Sequence, residues 1–383
     1  MKTEALAAFP CCVTFKEEVV SARDMVSQWR RSVKQLLPRL HGHLLNALSL
    51  LSMAMVLAGH CHSGRVAAHA CSAALPTSRQ RRWERLLSNP RLKVTQAMVQ
   101  LASGLLAPLT LIGQRPLVLI LDETPNGNRL KCLKLSVGYR KRAIPLAWVC
   151  YPPDDPPEPM PQLIRRLLGK VAGCIPAGCP VTLLADRGLA WPQVLDCCEE
   201  LGWHYVLRLQ SQTKVRPIDG NGGSDEKHAW ELARFRGHRW MGRALVFKKA
   251  GWREANVVAT WEPCCRERWL LVTDLPASFA RCRGYCKRVW CEQLHRDEKS
   301  GGFNWGRSLV RDPVHADRLL LVMALATLLC LSLGTDAIKR GLRKTLEPAR
   351  RRLLSVFQLG LRRIKDAWIQ GTCLPIGIHL HPS

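Results

Sequence analysis

The sequence predicts an α/β protein: a mixed five-stranded sheet with helices, interrupted by a mostly β insertion and flanked by helical regions at both ends. Two observations lead to this fold class. After Pro116, apolar runs of strand length alternate with segments of helical pattern. Between about residues 211 and 275, turn-rich and tryptophan-containing strand patterns interrupt that alternation. Because 47% of the 383 residues are hydrophobic, the chain can form a substantial core.

Residues 1–112 have the periodicity of helices with basic positions. The segment TSRQRRWERLLSNPRL opens with Thr77 and Ser78, residue types that cap helix N-termini. It carries four arginines that suit phosphate contacts: Arg79, Arg81, Arg82 and Arg85. Short basic helices predict a DNA-binding region of the helix-turn-helix type, and an ordinary small helical bundle is the alternative.

Residues 113–210 predict the first part of the sheet. LVLILDETP is a buried strand that ends on Asp122, and the strand-like runs LKCLKLSVGY and AIPLAWVCYP follow it through short turns. A helix then leads to a second buried strand, PVTLLADRG, which ends on Asp186, and a further helix and strand follow. This order of elements matches the start of a ribonuclease H-like fold, in which the ends of the first and fourth strands lie side by side.

Residues 211–275 are the predicted β insertion, and residues 276–335 resume the core. The apolar run from Leu319 to Gly334 is shorter than the ~20 residues that cross a membrane, and Asp317 and Arg318 precede it directly. We therefore expect a buried core helix there. Residues 336–383 are a basic tail of amphipathic helical pattern.

The chain is strongly basic, with 57 lysines and arginines against 30 aspartates and glutamates, a net charge of +27. A polyanionic partner explains this excess, with nucleic acid as the first candidate and a membrane surface as the second. The 17 cysteines and an N-terminal segment without a signal-peptide pattern indicate free thiols in the cytoplasm. A zinc site in GHCHSGRVAAHAC, residues 60–71 with flanks, is the alternative, although its spacing matches no closed CxxC pairing.

The segment YCKRVWCEQLHRDEKSGG, residues 285–302, carries polar side chains on one face of a predicted helix. At about 100° per residue, four of them fall within an arc of about 60°: Tyr285, Arg288, Glu292 and Lys299. Helices usually bury an apolar stripe, so this polar stripe indicates either a functional face or a solvated, salt-bridged one. Asp297 and Glu298 lie outside the arc, and we expect them to be solvated.

Three acids have the placement that metal-dependent phosphoryl transfer requires. Asp122 and Asp186 each end an apolar strand, and Glu292 lies on the polar helix face. Carboxylates that meet repel one another unless a cation joins them, and such oxygen ligands suit Mg²⁺ or Mn²⁺. Two such ions, about 4 Å apart, activate a water or a 3′-hydroxyl and stabilise the leaving oxygen at phosphorus. A turn or an N-cap is the alternative for each aspartate.

The cations of the same helix face complete the pattern, since Arg288 and Lys299 can hold DNA phosphates. Tyr285 can donate its hydroxyl to a phosphate or stack on a base. These residues together resemble the DDE transposases of bacterial insertion sequences, specifically insertion sequence family four. The third motif of that family, Tyr-x2-Arg-x3-Glu-x6-Lys, fits YCKRVWCEQLHRDEK at every defined position, and LDETP and LADRG resemble its two aspartate motifs.

The resemblance implies roles for six residues: two divalent metal ions, Mg²⁺ or Mn²⁺, on Asp122, Asp186 and Glu292, and transposon-end DNA on Tyr285, Arg288 and Lys299. It implies a cut-and-paste transposase that binds inverted repeats in double-stranded DNA, cleaves them and joins 3′-hydroxyl ends to target DNA. We expect a homodimer on DNA, no membrane, and a place in the bacterial cytoplasm with the nucleoid. Some relatives stack an insertion tryptophan on a flipped base, and the sequence does not choose between Trp252, Trp261 and Trp269.

Two other functions agree with the same residues. A ribonuclease H-like nuclease would cut DNA without joining it. A regulator derived from a transposase would bind DNA without cutting it, although a pure DNA-binding protein has no use for carboxylates beside phosphates.

Overall fold

The computed structural model describes residues 22–218, 225–348 and 351–381. The helices of these residues are α1 (Ala22–Leu36), α2 (Gly42–Ala58), α3 (Ser63–His69), α4 (Pro76–Ser88), α5 (Val94–Leu109), α6 (Met160–Ala172), α7 (Pro192–Glu200), α8 (Ala280–Tyr285), α9 (Val289–Arg296), α10 (Pro313–Lys339), α11 (Arg343–Leu346) and α12 (Val356–Gln370). The strands are β1 (Leu117–Asn126), β2 (Leu130–Tyr139), β3 (Arg142–Tyr151), β4 (Val181–Ala185), β5 (His204–Arg208), β6 (Lys214–Pro217), β7 (Lys227–His228), β8 (Arg239–Val246), β9 (Arg253–Thr260) and β10 (Trp269–Thr273).

The first five strands form the predicted mixed sheet in the order β3-β2-β1-β4-β5. The first three are an antiparallel meander, and β4 and β5 run parallel to β1. These directions and this order are those of a ribonuclease H-like core, so the predicted fold class is confirmed. Leu121 pairs with Ala185 across β1 and β4, so Asp122 and Asp186 are the next residues along two neighbouring parallel strands.

The strands after β5 extend this same sheet. β10 pairs antiparallel with β5, and β9, β8, β6 and β7 follow outward, which gives a continuous sheet of ten strands. Residues from 211 to 275 therefore leave the core after β5 and return beside it through β10. Because β10 runs antiparallel to β5, it ends at the opposite edge of the sheet, where Asp274 contacts His204, and the chain then leads into α8.

The helices before β1 share the core of the sheet. One cluster of buried side chains includes Trp29 on α1, Leu51 on α2, Leu121 on β1 and Leu325 on α10. Helix α4 begins at Pro76 with Leu75 before it, so the predicted caps Thr77 and Ser78 lie in its first turn instead. Proline favours the first helical position because its fixed φ suits a helix and it lacks an N–H.

Helix α10 is the predicted buried helix, and the residues from Leu319 to Gly334 are all buried. In the described residues it is the one single helix long and apolar enough to cross a membrane, and its apolar window is wholly buried inside the protein. It crosses α12 closely, because a Cβ placed on Gly334 would lie 1.8 Å from the Val356 carbonyl oxygen. Only glycine allows the two backbones to approach this closely.

The polar helix is interrupted rather than regular. A 3₁₀ turn at Cys286–Arg288 separates α8 from α9, and a π turn at Asp297–Gly301 follows α9. The expectation that Asp297 and Glu298 are solvated is wrong, since they are 2% and 1% exposed. Helices with a π turn change the direction of the side chains that follow, which the ideal 100° spacing does not anticipate.

Each of these two buried acids has a cation partner. Arg142 Nε lies 2.7 Å from Asp297 Oδ2. The amine of Lys134 donates to both carboxylate oxygens of Glu298, at 2.7 and 2.5 Å. Burial raises the pKa of Asp297 to about 7, although Arg142 opposes the shift. The π turn therefore ties the end of the polar helix to β2 and β3 through ion pairs.

Candidate active site

Asp122 and Asp186 meet at the carboxyl edge of the parallel strands. Asp122 lies within β1 and is 8% exposed, and Asp186 follows the last residue of β4 directly. Such an edge is where α/β sheets usually place ligands, because the loops diverge there and leave room. The strand pattern of apolar residues thus fixes the backbone of both acids.

Arg288 joins all three candidate acids. Its Nη1 lies 3.4 Å from Asp122 Oδ1 and 3.9 Å from Asp186 Oδ2, and its Nη2 donates to Glu292 Oε1. The two aspartate oxygens are therefore at most about 7 Å apart, a separation that follows from their distances to one nitrogen. Burial alone would lower the pKa of Arg288, but Tyr285 and the three carboxylates raise it.

The three acids have the donor chemistry of a divalent metal site. Asp186 Oδ1 is buried and has no hydrogen-bond partner among the described residues, and Arg208 Nη1 is 4.0 Å away from it. A buried carboxylate oxygen without a donor is costly, and a cation would satisfy it. Glu292 keeps half of its side chain exposed and can turn toward such an ion. Carboxylates with open positions favour Mg²⁺ or Mn²⁺.

Tyr285 lies beneath this cluster and is 4% exposed. Its hydroxyl donates to the Ala185 carbonyl at 3.3 Å, and its ring packs edge-on against Trp269 with centroids 5.5 Å apart. Burial, followed by the nearby Asp186, raises the pKa of its phenol. In this structure Tyr285 therefore supports the strand end that carries Asp186, and its predicted contact with DNA stays a prediction.

Lys299 reaches the same edge of the sheet from the π turn. Its amine donates to Thr124 Oγ1 at 2.8 Å and to the Pro125 carbonyl at 2.6 Å. Burial lowers the pKa of this half-buried amine. The four stripe residues thus reach the ends of β1 and β4, with Glu292 doing so through Arg288.

The sequence pattern did not place His295 or Cys291 at this site. His295 Nε2 lies 3.3 Å from Asp122 Oδ2 and 3.3 Å from Cys291 Sγ. Among the described residues, one group of potential metal ligands has its ligand atoms within 4.8 Å of one another: Asp122, Cys291 and His295. At 100° per residue, His295 lies about 20° outside the arc of the four stripe residues, so a slightly wider arc includes it.

Arg208 was missed for a different reason. It ends β5, the parallel strand beside β4, and it binds Glu267 at 2.7 Å as well as approaching Asp186. A basic residue at the end of a third parallel strand is visible in the sequence. Its proximity to Asp186 depends on the sheet order, which the sequence alone did not determine.

The protein has a basic groove near this site and a basic helix face on α4. A groove of about 520 Å³ starts beyond Pro125, and the described residues that line it include Arg129, Arg307 and His62 but no acid. On the N-terminal side, Arg81, Arg82 and Arg85 of α4 are exposed, whereas Arg79 is half-buried and donates to the Ala70 carbonyl at 3.2 Å.

Other predicted sites have a different environment. The 15 cysteines within the described residues are free, and Cys61 is buried with its sulfur 3.5 Å from the Asn304 carbonyl, which does not favour the zinc alternative. Of the insertion tryptophans, Trp252 faces Arg216 and Trp261 faces Arg268. Trp269 contacts the polar stripe through Tyr285, as described above.

Comparison with known families agrees with this geometry. The family described as transposase DDE domain matches residues 115–329, more than half of the chain, and this range includes all six predicted site residues. No curated protein matches the chain in sequence.

Proposed function

This chain belongs to the transposase DDE domain family, and we propose that it is a cut-and-paste transposase that cleaves and joins DNA. It binds the inverted repeats at the ends of its element, frees a 3′-hydroxyl end and joins that end to target DNA. Its signature is that of insertion sequence family four. Family membership supports transposase activity, and the finer steps rest on the site.

The contact of one guanidinium with three carboxylates carries the proposal. Arg288 approaches Asp122, Asp186 and Glu292, so acids from β1, β4 and α9 converge on one point. The single charge of Arg288 does not balance three carboxylates gathered at one strand edge, and such a cluster is costly without further positive charge. A site for divalent cations explains why this arrangement exists in a strongly basic protein.

Each residue has a proposed role in this reaction. Asp122, Asp186 and Glu292 hold two Mg²⁺ or Mn²⁺ ions, which supply Lewis acidity at the scissile phosphate when bound. Arg288 is already at the acids and can transfer its hydrogen bonds to a phosphate oxygen. Lys299 binds a phosphate of the DNA strand where that strand leaves the site alongside β1.

The partner is double-stranded DNA. The net charge of +27 supports phosphate binding, and the groove beyond Pro125 offers two arginines beside Lys299. Tyr285 and Trp269 form an aromatic pair near Asp186, which supports Trp269 as the tryptophan that stacks on a base. Because joining requires two element ends, we expect a homodimer on DNA, acting in the bacterial cytoplasm at the nucleoid.

The decisive test uses DNA that carries the sequences flanking the reading frame, incubated with protein and Mg²⁺. We expect nicked and joined products from the wild type, and none from Asp122→Asn, Asp186→Asn or Glu292→Gln. Glu123→Gln is the matched control, because Glu123 neighbours Asp122 on β1 but its carboxylate accepts from Tyr151 and pairs with Lys131 instead.

The outcomes separate the alternatives. If all three acid variants keep wild-type cleavage, the proposed centre is wrong. Cut products that are never joined, even with supercoiled target DNA, would instead identify a nuclease. DNA binding without any cleavage and without a requirement for Mg²⁺ would identify a regulator.

A further inference from the structure

A line of buried charged side chains leads from the interior of the fold to the candidate catalytic acids. It starts at Lys134 on β2, whose amine is bound to both oxygens of Glu298. His295 follows, with Nδ1 3.6 Å from Glu298 Oε2 and Nε2 3.3 Å from Asp122 Oδ2. All four residues of this line are buried, since each is at most 8% exposed.

The His295 ring lies between two carboxylates. Its Nε2 faces Asp122 and also lies 3.3 Å from Cys291 Sγ. Its Nδ1 faces Glu298, but 3.6 Å is too long for a hydrogen bond, and this buried nitrogen has no hydrogen-bond partner among the described residues. Contacts on both sides limit the rotation of the ring.

The two oxygens of Asp122 face different partners as a result. Oδ2 faces His295 at 3.3 Å, whereas Oδ1 faces Arg288 at 3.4 Å. Arg288 is also the residue that approaches Asp186 and Glu292. Oδ1 is therefore the oxygen directed toward the other two acids, and contact with His295 limits rotation of the carboxylate.

We propose that His295 is a positioning residue of the catalytic centre, which holds Asp122 Oδ2 so that Oδ1 is presented to a divalent metal ion. The Lys134–Glu298 pair in turn holds His295. Such outer partners of metal ligands typically change metal affinity about 10- to 100-fold when they are removed. This inference rests on the proposed function, because it requires Asp122 to bind metal.

A matched pair of variants tests this role. His295→Gln and His295→Asn both replace the imidazole with the same neutral amide, so the two variants carry equal charge. The glutamine amide nitrogen reaches about the place of Nε2 and can still donate to Asp122. The asparagine amide nitrogen reaches only about the place of Nδ1, on the Glu298 side.

The measurement is Mn²⁺ binding to the full-length protein without DNA, by titration calorimetry, with thermal unfolding as the check on folding. We expect His295→Gln to bind Mn²⁺ within about threefold of the wild type. We expect His295→Asn to bind it about 10- to 100-fold more weakly than His295→Gln. A merely structural role would lower the unfolding temperature of both variants and leave their Mn²⁺ affinities equal.

Equal Mn²⁺ affinities of the two variants would overturn the inference. Should His295→Asn fail to fold, Glu298→Gln takes its place, since it keeps His295 but removes the carboxylate at Nδ1. We expect several-fold weaker Mn²⁺ binding from that variant, and unchanged affinity would overturn the inference as well. If Asp122→Asn binds Mn²⁺ like the wild type, the metal centre itself is wrong, and this result is distinct from a failure at His295.

Discussion

The Lys134–Glu298 ion pair provides the sharpest test of how α9 and the π turn after it are anchored. We consider Lys134→Met, Glu298→Met and the double variant. Both side chains are 1% exposed and their atoms lie 2.5 to 2.7 Å apart, so solvent screens the pair little. The attraction outweighs the effect of burial on the pKa values of both groups, raising that of Lys134 and lowering that of Glu298.

The magnitude follows from this geometry. At about 2.6 Å and an effective dielectric constant of about 20, the attraction is about 6 kcal/mol, much of which offsets desolvation. Removing one partner leaves an unpaired buried charge, so we expect each single variant to lose about 3–5 kcal/mol of unfolding free energy. The double variant leaves neither charge, so its free energy of unfolding should fall by only about 0–2 kcal/mol. A loss of about 2 kcal/mol would reflect the contact of Glu298 with His295, which is also removed.

Urea unfolding of the four proteins in metal-free buffer measures this double-mutant cycle. The comparison requires equal dependence of the unfolding free energy on urea concentration, which indicates a common two-state transition. A coupling energy of several kcal/mol is expected because the residues act as one unit. If the losses of the single variants simply add in the double variant, the two side chains do not form the buried pair described here.

Three further changes have expected outcomes. Burial raises the pKa of Asp317 to about 7, so the native state holds the proton more tightly than the unfolded chain, and stability falls as pH rises from about 4 to about 7. Asp317→Asn should therefore stabilise the protein at pH 8, by up to about 4 kcal/mol, but have little effect at pH 4; an equal gain in urea unfolding at both pH values would contradict this. Gly334→Ala should lower the free energy of unfolding by more than about 3 kcal/mol, because its new Cβ would meet the Val356 carbonyl oxygen. Gly169→Ala in α6 is the control: its Cβ would have no atom within 4 Å, so the free energy of unfolding should rise by up to about 1 kcal/mol. Similar shifts of the unfolding temperature for both variants would refute the close crossing of α10 and α12. Lys299→Gln should weaken binding to end DNA and reduce the slope of log affinity against log salt by about 1 in fluorescence titrations, and an unchanged slope would remove Lys299 from the phosphate contacts.

Much of the candidate site could be predicted from local patterns. A continuous apolar run that closes on an acid predicts a buried strand and the place of the carboxylate: Asp186 follows β4 directly, whereas β1 continues beyond Asp122 to Asn126 because it goes on pairing with β2. The ribonuclease H-like order of strands then places the two ends side by side, which the pairing of Leu121 with Ala185 confirms. The continuous apolar run from Leu319 to Gly334 likewise predicted the buried helix α10, because such a run can be recognised without knowing what it packs against.

The remaining features depend on contacts between distant parts of the chain. Lys134 and Glu298 are 164 residues apart, so nothing in either segment shows that their charges are buried together. The π turn that buries Glu298 has no strong local signature, and ideal helical angles therefore misplaced it. The sequence predicted β-strands in the insertion, but it did not show that they extend the core sheet. That arrangement results from the pairing of β10 with β5.

The distribution of partners among the three acids has a consequence for the chemistry. Asp122 is held from both sides, by His295 and Arg288, and Glu292 has a direct contact with Arg288. Asp186 has only the longer contacts of 3.9 and 4.0 Å to Arg288 and Arg208, and its buried Oδ1 has no hydrogen-bond donor among the described residues. A bound cation would therefore supply the partner that Asp186 Oδ1 lacks among the described residues. Asp122 is thus the acid that its neighbours already hold in place, and Asp186 is the acid whose environment a bound cation would complete.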